Sequence, residues 1–186
     1  MRDVLDLLTA INTRASALKL DAPGPSREHL QQIIAAGARA PDHGRLRPWR
    51  FVVVEAAARE RLGDAMAAML RAKRPDATAA QVDAERAKVM RAPTIVVVAA
   101  HITKGKIPEI EQVVAVGAAV QNMFLAANAL GYGAMWKTGG GAYDASVKLS
   151  LGLEAEDHIV ALLYLGTTVT PGPLVATPPD DLIRWL

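Results

Sequence analysis

The apolar positions along this chain repeat at two spacings, one helical and one of short β-branched runs. Val4, Leu5, Leu7, Leu8 and Ile11 recur at helical spacing and predict a first helix over 3–12, with Asp3 available as its cap. Asp21–Pro25 reads as a turn. Ser26 then caps a second helix that carries Leu30, Ile33, Ile34 and Gly37 on one face, and Pro41 stops it. Arg50–Glu55 (RFVVVE) is a β-branched run and predicts a buried strand. Two helices follow, over 58–73 and 79–91, separated by Pro75. Thr78 and Gln81 form a capping-box pair at the start of the second. Met66, Met69 and Met90 fall at core-like positions of these helices.

Pro93 opens the strand Thr94–Ala100, and the polar loop His101–Pro108 leads to a long helix over 109–130. Glu109 and Glu111 mark its start, and Gly131 closes it. Its Ala115, Gly117, Ala118 and Ala119 permit a neighbouring helix to come close. Tyr132–Thr138 predicts a short strand and Gly139–Gly141 a loop. Asp144 caps a short helix ending at Gly152, and His158–Gly166 is the most apolar strand. The tail from Thr170 carries Pro171, Pro173, Pro178 and Pro179 and predicts an extended segment. It ends in Leu182, Ile183, Trp185 and Leu186, which need a surface to pack against. With no repeat or linker, residues 1–186 read as one domain, helix-rich around few strands.

Composition removes whole classes of function. The 186 residues contain no cysteine, which excludes disulfides, zinc ribbons, iron–sulfur ligation and a thiol nucleophile. Hydrophobic residues make up 51% and charged residues 22%, the balance of a globular chain. The isoelectric point near 9.0 reflects a net charge of only +2, and aromatics are 4%, so no nucleic-acid partner is expected. Asp3 and Asp6 stand where an export signal would be apolar. The apolar stretch over 110–131 carries Glu111, Gln112, Gln121, Asn122 and Asn128, so it reads as a buried helix rather than a membrane span. A cytoplasmic location is expected.

Familiar catalytic motifs are missing. Gly131-Tyr132-Gly133 begins a dinucleotide fingerprint, but Trp136 stands where the third glycine belongs, and the fragment follows a helix. The four histidines, at 29, 43, 101 and 158, are dispersed, and no metal site is expected. Three polar clusters remain. Arg14, Ser16 and Lys19 suit a terminal phosphate, and equally a solvated helix end whose positive charge complements the dipole. Arg39-Ala40-Pro41-Asp42-His43, followed by Arg47-Pro48-Trp49, suits a rigid loop presenting donors, or a basic surface turn. Trp136-Lys137-Thr138-Gly139 suits close approach to a flat ligand, or an ordinary strand end.

Taken in order, these blocks resemble the nitroreductase family of FMN-dependent NAD(P)H oxidoreductases, and in particular its small YdjA-type branch. The resemblance spans Arg14-x-Ser16-x-x-Lys19, the Arg39–His43 block with Pro48-Trp49-Arg50-Phe51, and Arg91-Ala92-Pro93. It continues through the helix ending Gly131-x-Gly133, then Trp136–Gly139, then Tyr164-Leu165-Gly166-Thr167. It implies an α+β fold with a central, mostly antiparallel sheet flanked by helices. It also implies a homodimer with FMN at the interface and a C-terminal extension packing on the partner subunit. Carried over, Arg14, Ala15, Ser16 and Lys19 serve the phosphate end of FMN, and Arg39, His43, Trp136, Lys137 and Thr138 the flavin. Ala126, Ala127, Asn128, Ala129, Leu130 and Gly131 correspond to a region assigned to NAD(P). Ala15 replaces a common second Arg, and Leu46 a common polar residue. The implied activity is electron transfer from NAD(P)H through FMN to nitroaromatic, quinone or similar small-molecule acceptors. The absence of a protein nucleophile agrees with chemistry carried by a cofactor. The alternative is a flavin-binding protein of the same fold without NAD(P)H turnover.

Overall fold

The computed structural model describes residues 7–174 and 182–186. The expected cap at Asp3, together with Val4 and Leu5, lies outside the described residues, as do Pro178 and Pro179.

The most apolar run becomes the middle of the structure. Strand β3 (Thr94–Ala100) is buried at every position. It pairs antiparallel with β2 (Trp49–Glu55) on one side and with β5 (His158–Thr170) on the other. β5 also pairs antiparallel with β4 (Gly133–Lys137) and, through its last residues, with β1 (Lys19–Asp21). The result is one five-stranded antiparallel sheet.

Strand alternation divides the core in two. One face of the sheet presents Ile95, Val97, Leu162 and Tyr164 to Leu62, Met66 and Met69 of α3 (Ala57–Lys73), Val89 and Val147. The helices α4 (Ala79–Ala87) and α6 (Ala145–Ser150) pack on this side, against α3. The opposite face presents Val96, Val98, Leu163 and Leu165 to α2 (Arg27–Gly37) and α5 (Glu109–Ala129). Burying Phe124 and Ile33 here contributes about 1.5–3 kcal/mol for each side chain. Gly37 lets α2 reach α5: a Cβ at that position would stand 2.7 Å from Met123 Cγ. A short helix, α1 (Leu7–Thr13), touches α5 and buries none of its residues.

Local signals place most helix ends. Ser26 accepts from the His29 N–H at 3.2 Å, and Thr78 and Gln81 complete their capping box. Gly131 has φ 87° directly after the last turn of α5. Asp144 caps α6 by accepting from the Ser146 and Val147 N–H groups, and its second oxygen meets Lys73 Nζ at 2.8 Å. The bond to Lys73, then that to Ser146, pulls its carboxyl down from 3.8 to about 2. A carboxyl lowered in the folded state stabilises the fold above its unfolded pKa and loses that effect as the pH falls toward its folded one. Asp144→Ala is therefore expected to cost about 1 kcal/mol at pH 7 in urea unfolding. The difference from wild type should shrink as the pH falls from about 4 towards 2.

The structure departs from the sequence reading at four places. β2 is an edge strand with only Val54 buried, because an apolar run does not say whether a second neighbour is present. β1 occupies residues expected to lead into a turn, and β5 runs to Thr170 rather than Gly166 because β1 pairs with that extension. Met90 is 49% exposed, since α4 ends at Ala87 and Lys88–Arg91 form a 3-10 turn. α5 is long and apolar enough to cross a membrane by length and composition. Its inner side is the core, as expected, but its outer side leaves Ile110 and Val114 open.

Candidate functional site

A cavity of about 410 Å³ opens where β1, β4 and the turn before β3 meet. Its lining is Leu18, Lys19, Leu20, Met90, Arg91, Met135, Lys137 and Tyr164. Backbone pairing creates it: Leu20 lies opposite Thr168 and Met135 opposite Tyr164, so β1 and β4 are both held by β5. Alternation along β4 turns Met135 and Lys137 to the cavity. The volume lies in the range of small-molecule sites. The lining holds three cations and no carboxylate, and none of Lys19, Arg91 and Lys137 forms an ion pair or side-chain hydrogen bond among the described residues. An apolar floor under three unpaired cations suits a flat body with an anionic end.

The first cluster divides. Lys19 reaches the cavity, whereas the Arg14 guanidinium stacks 4.9 Å above the Phe124 ring. Ala15 is half-buried and Ser16 exposed beside the end of β5, its carbonyl oxygen 2.0 Å from where a Cβ of Gly172 would stand.

The second cluster lies elsewhere, along α5. Arg39 lines an apolar depression of about 430 Å³ with Leu7, Ala10, Asn122, Leu125 and Ala126. His43 lines another, of about 280 Å³, with Pro41, Ile110, Val114 and Ala118. The loop between them is tightly built. Asp42 accepts from the Arg47 N–H at 2.6 Å, and Gly44, Arg45 and Arg47 all have left-handed φ, at 75°, 56° and 50°. Such strain persists where the surroundings hold it, here Ile107 packed over Gly44 and the Glu111 carboxylate 2.6 Å from His43 Nδ1. Ile110, Val114, Gly117, Ala118, Gln121 and Leu125 form a stripe at helical spacing on the outer side of α5. Ile110 is 65% and Val114 62% exposed, so the stripe is mostly apolar and is left open by the described residues.

The third cluster also divides. Trp136 lies on the sheet face opposite Lys137 and donates from Nε1 to the Val160 carbonyl at 2.9 Å. Thr138 is exposed and precedes Gly139, whose φ of 104° allows the chain to turn. Ala126–Gly131 form the end of α5, where the Leu130, Gly131 and Tyr132 N–H groups bond to the carbonyls of Ala126, Asn128 and Ala127. Ala127 is fully buried, while Ala126 and Ala129 border the depression that holds Arg39. As for metals, His101, Glu154 and Asp157 offer ligand atoms within 4.8 Å of one another. Asp157 is already engaged, accepting from His101 Nδ1 at 2.8 Å and from the Glu154 N–H at 2.9 Å, as a clamp on its loop.

Two cavity residues, Arg91 and Tyr164, lie outside the three polar clusters that the sequence marks. The available signals were a charge held directly before Ala92-Pro93 at a strand entrance, and one phenol inside the otherwise apolar run of β5.

Comparison with known proteins agrees with this architecture. The nitroreductase family model matches residues 11–167. YdjA of Escherichia coli strain K12, provisionally named an NAD(P)H nitroreductase, is 37% identical over 177 residues, covering 95% of this chain and 96% of YdjA. A provisionally assigned nitroreductase from Desulfovibrio desulfuricans, solved in complex with FMN, is 28% identical with a TM-score of 0.76, covering 96% of this chain and 95% of that one. A nitroreductase-like protein from Bacillus cereus shares the fold at TM-score 0.82 and 24% identity, covering 100% of this chain and 98% of that one. The helix-flanked antiparallel sheet and the matched sequence blocks have one common explanation: this chain belongs to the nitroreductase family of oxidoreductases.

Proposed function

We propose that this protein is an FMN-dependent oxidoreductase that passes electrons from NAD(P)H to nitroaromatic, quinone or similar acceptors by a ping-pong mechanism. In this reading it works in the cytoplasm as a homodimer, with each FMN site built from both chains. The observation that carries the reading is the division of its cationic groups. Lys19, Arg91 and Lys137 surround a donor-lined cavity, while Arg39 and His43 sit at the margins of an unpartnered apolar face. In the proposed dimer a second copy covers that face, and Arg39 and His43 at its margins are the groups it would lend to the partner's site. The exposed Leu182, Ile183 and Trp185 also gain a surface in such a dimer.

The residues fit the cofactor. FMN combines a flat, largely apolar ring with an anionic phosphate, and the cavity offers Leu20 and Met135 to the one and unpaired cations to the other. Bound FMN supplies the redox chemistry, accepting a hydride from NAD(P)H and delivering electrons to the acceptor. Lys137 and Arg91 would hold a positive potential beside a flavin bound in this cavity, which would favour its anionic reduced form. Arg39 from the partner would add to that potential. No side chain is needed as nucleophile. The FMN complex of the Desulfovibrio relative supports the choice of cofactor.

The purified chain, incubated with excess FMN and desalted, is expected to be yellow and dimeric. Anaerobic mixing with NADH and, separately, NADPH should bleach the visible flavin band. A protein that stays colourless sinks the flavin reading altogether. One that binds FMN but is bleached by neither nucleotide is a flavin-binding protein of this fold without turnover.

A further inference from the structure

The cavity floor holds a hydroxyl that no described residue bonds. Tyr164 lies mid-strand in β5, paired with Ile95 of β3 on one side and Met135 of β4 on the other. Its ring belongs to the core cluster with Val97 and Leu162, and only 3% of the residue is exposed. Its hydroxyl makes no hydrogen bond to any described residue. Among the described residues, Arg59 Nε alone is both sealed from solvent and without a partner. The Tyr164 oxygen is therefore not sealed, and the surface that the residue keeps is on the cavity wall.

A hydroxyl in this position is poised for an occupant. A hydroxyl on so buried a side chain, open only to the cavity and bonded to no described residue, is a place where an atom of an occupant completes the set. The groups facing it limit that ligand. Lys19, Arg91 and Lys137 can only donate, Met90 and Met135 offer thioethers, and the lining has no carboxylate to accept the phenol proton. Burial pushes the phenol pKa up, with Arg91 opposing and Glu85 reinforcing the shift, so the group keeps its proton and presents a donor. The occupant must bring an acceptor to the floor, beneath whatever charge it offers the cations at the rim. A flavin ring carries carbonyl oxygens and ring nitrogens of that kind on its pyrimidine edge.

We propose that Tyr164 is a cofactor-contacting residue whose phenol donates a hydrogen bond to a carbonyl or ring-nitrogen acceptor of FMN; the proposal rests on the FMN reading above. The test uses the full-length chain and Tyr164→Phe, which removes one oxygen and keeps the ring in the core. FMN is titrated into flavin-free protein and followed by quenching of flavin fluorescence. Thermal unfolding is recorded with and without saturating FMN.

Tyr164→Phe is expected to bind FMN about tenfold more weakly, the loss of one hydrogen bond to an uncharged acceptor. The rise in melting temperature on adding FMN should shrink accordingly. Without FMN the variant should melt at the wild-type temperature or slightly above it, because the oxygen removed bonds no described residue. Tyr143→Phe, at a residue 73% exposed, should match wild type throughout.

Wild-type affinity in Tyr164→Phe overturns the proposal and leaves the FMN reading standing. Weakened binding with an equally lowered flavin-free melting temperature assigns the effect to packing and also overturns it. A wild-type chain that binds no FMN removes the FMN reading, and this proposal with it.

Discussion

If the proposed FMN-bound dimer forms on the outer side of α5, Val114→Asp is expected to leave a colourless monomer. Val114 is 62% exposed at the centre of the outer stripe of α5, with Ile110 one turn before it and Gly117 and Ala118 one turn after. A Cβ at Gly117 would meet nothing within 4 Å, so this side of the helix stands clear of the described residues. Laid against a second copy, the stripe would be desolvated, and a carboxylate there would lose its hydration without a cation to replace it. Self-association should weaken at least about a hundredfold, equivalent to roughly 3 kcal/mol. Light scattering on size-exclusion fractions reads this directly. FMN retention should fall in parallel, because Arg39 and His43 would no longer be lent to the partner's site. The fold itself should survive, since an exposed valine contributes little to its own core. A variant that stays dimeric and yellow would remove the stripe from the interface. So would a wild-type chain that holds FMN as a monomer.

Gly166→Val should unfold the protein earlier and empty the cavity together. Gly166 pairs with Gly133 across β5 and β4, at the point where β1 also arrives. A Cβ there would stand 2.8 Å from the Asp21 carbonyl oxygen and 2.8 Å from Pro93 Cδ. One obstacle is backbone and the other a ring, so neither gives way by changing a rotamer, unlike the tip of a long side chain. Overpacking of this kind costs about 3 kcal/mol or more, read as a lower urea midpoint. Relief of the clash means parting β1 from β5, which carries Lys19 away from Met135, Tyr164 and Lys137. Loss of flavin at denaturant concentrations well below the unfolding midpoint is the expected signature. Gly105→Ala, where nothing lies within 4 Å, should leave both measurements unchanged. An unaltered urea midpoint in Gly166→Val would show that β1 is free to move without cost.

What could be read along the chain was whatever depends on near neighbours. Ser26, Thr78 with Gln81, Asp144 and Gly131 act within one helical turn, so their residue types foretold the helix ends. The continuous apolar run of β3 foretold a central strand in the same way. Position within the sheet could not be read. β2 carries the same run of three valines as β3, yet it lies at the edge with Val53 40% exposed, because burial depends on a partner far along the chain. β1 has three residues and no pattern of its own; it is a strand only because β5 continues past Gly166 to meet it.

The same division holds for the site. Lys19 and Lys137 drew notice by residue type, but Arg91 and Tyr164 join them only once antiparallel pairing sets β1, β4 and β5 side by side. Arg14 belonged to the same sequence block as Lys19, yet it stacks on Phe124 outside the cavity lining. By itself the sequence determined the family, the helices with their caps, the absence of thiol chemistry and the residue types around which a site forms. The tertiary structure alone decided which of those residues share a cavity, which sheet face each occupies and which side of α5 is left open. Helix ends are settled by hydrogen bonds a few residues long, whereas a site is settled by contacts between residues far apart along the chain.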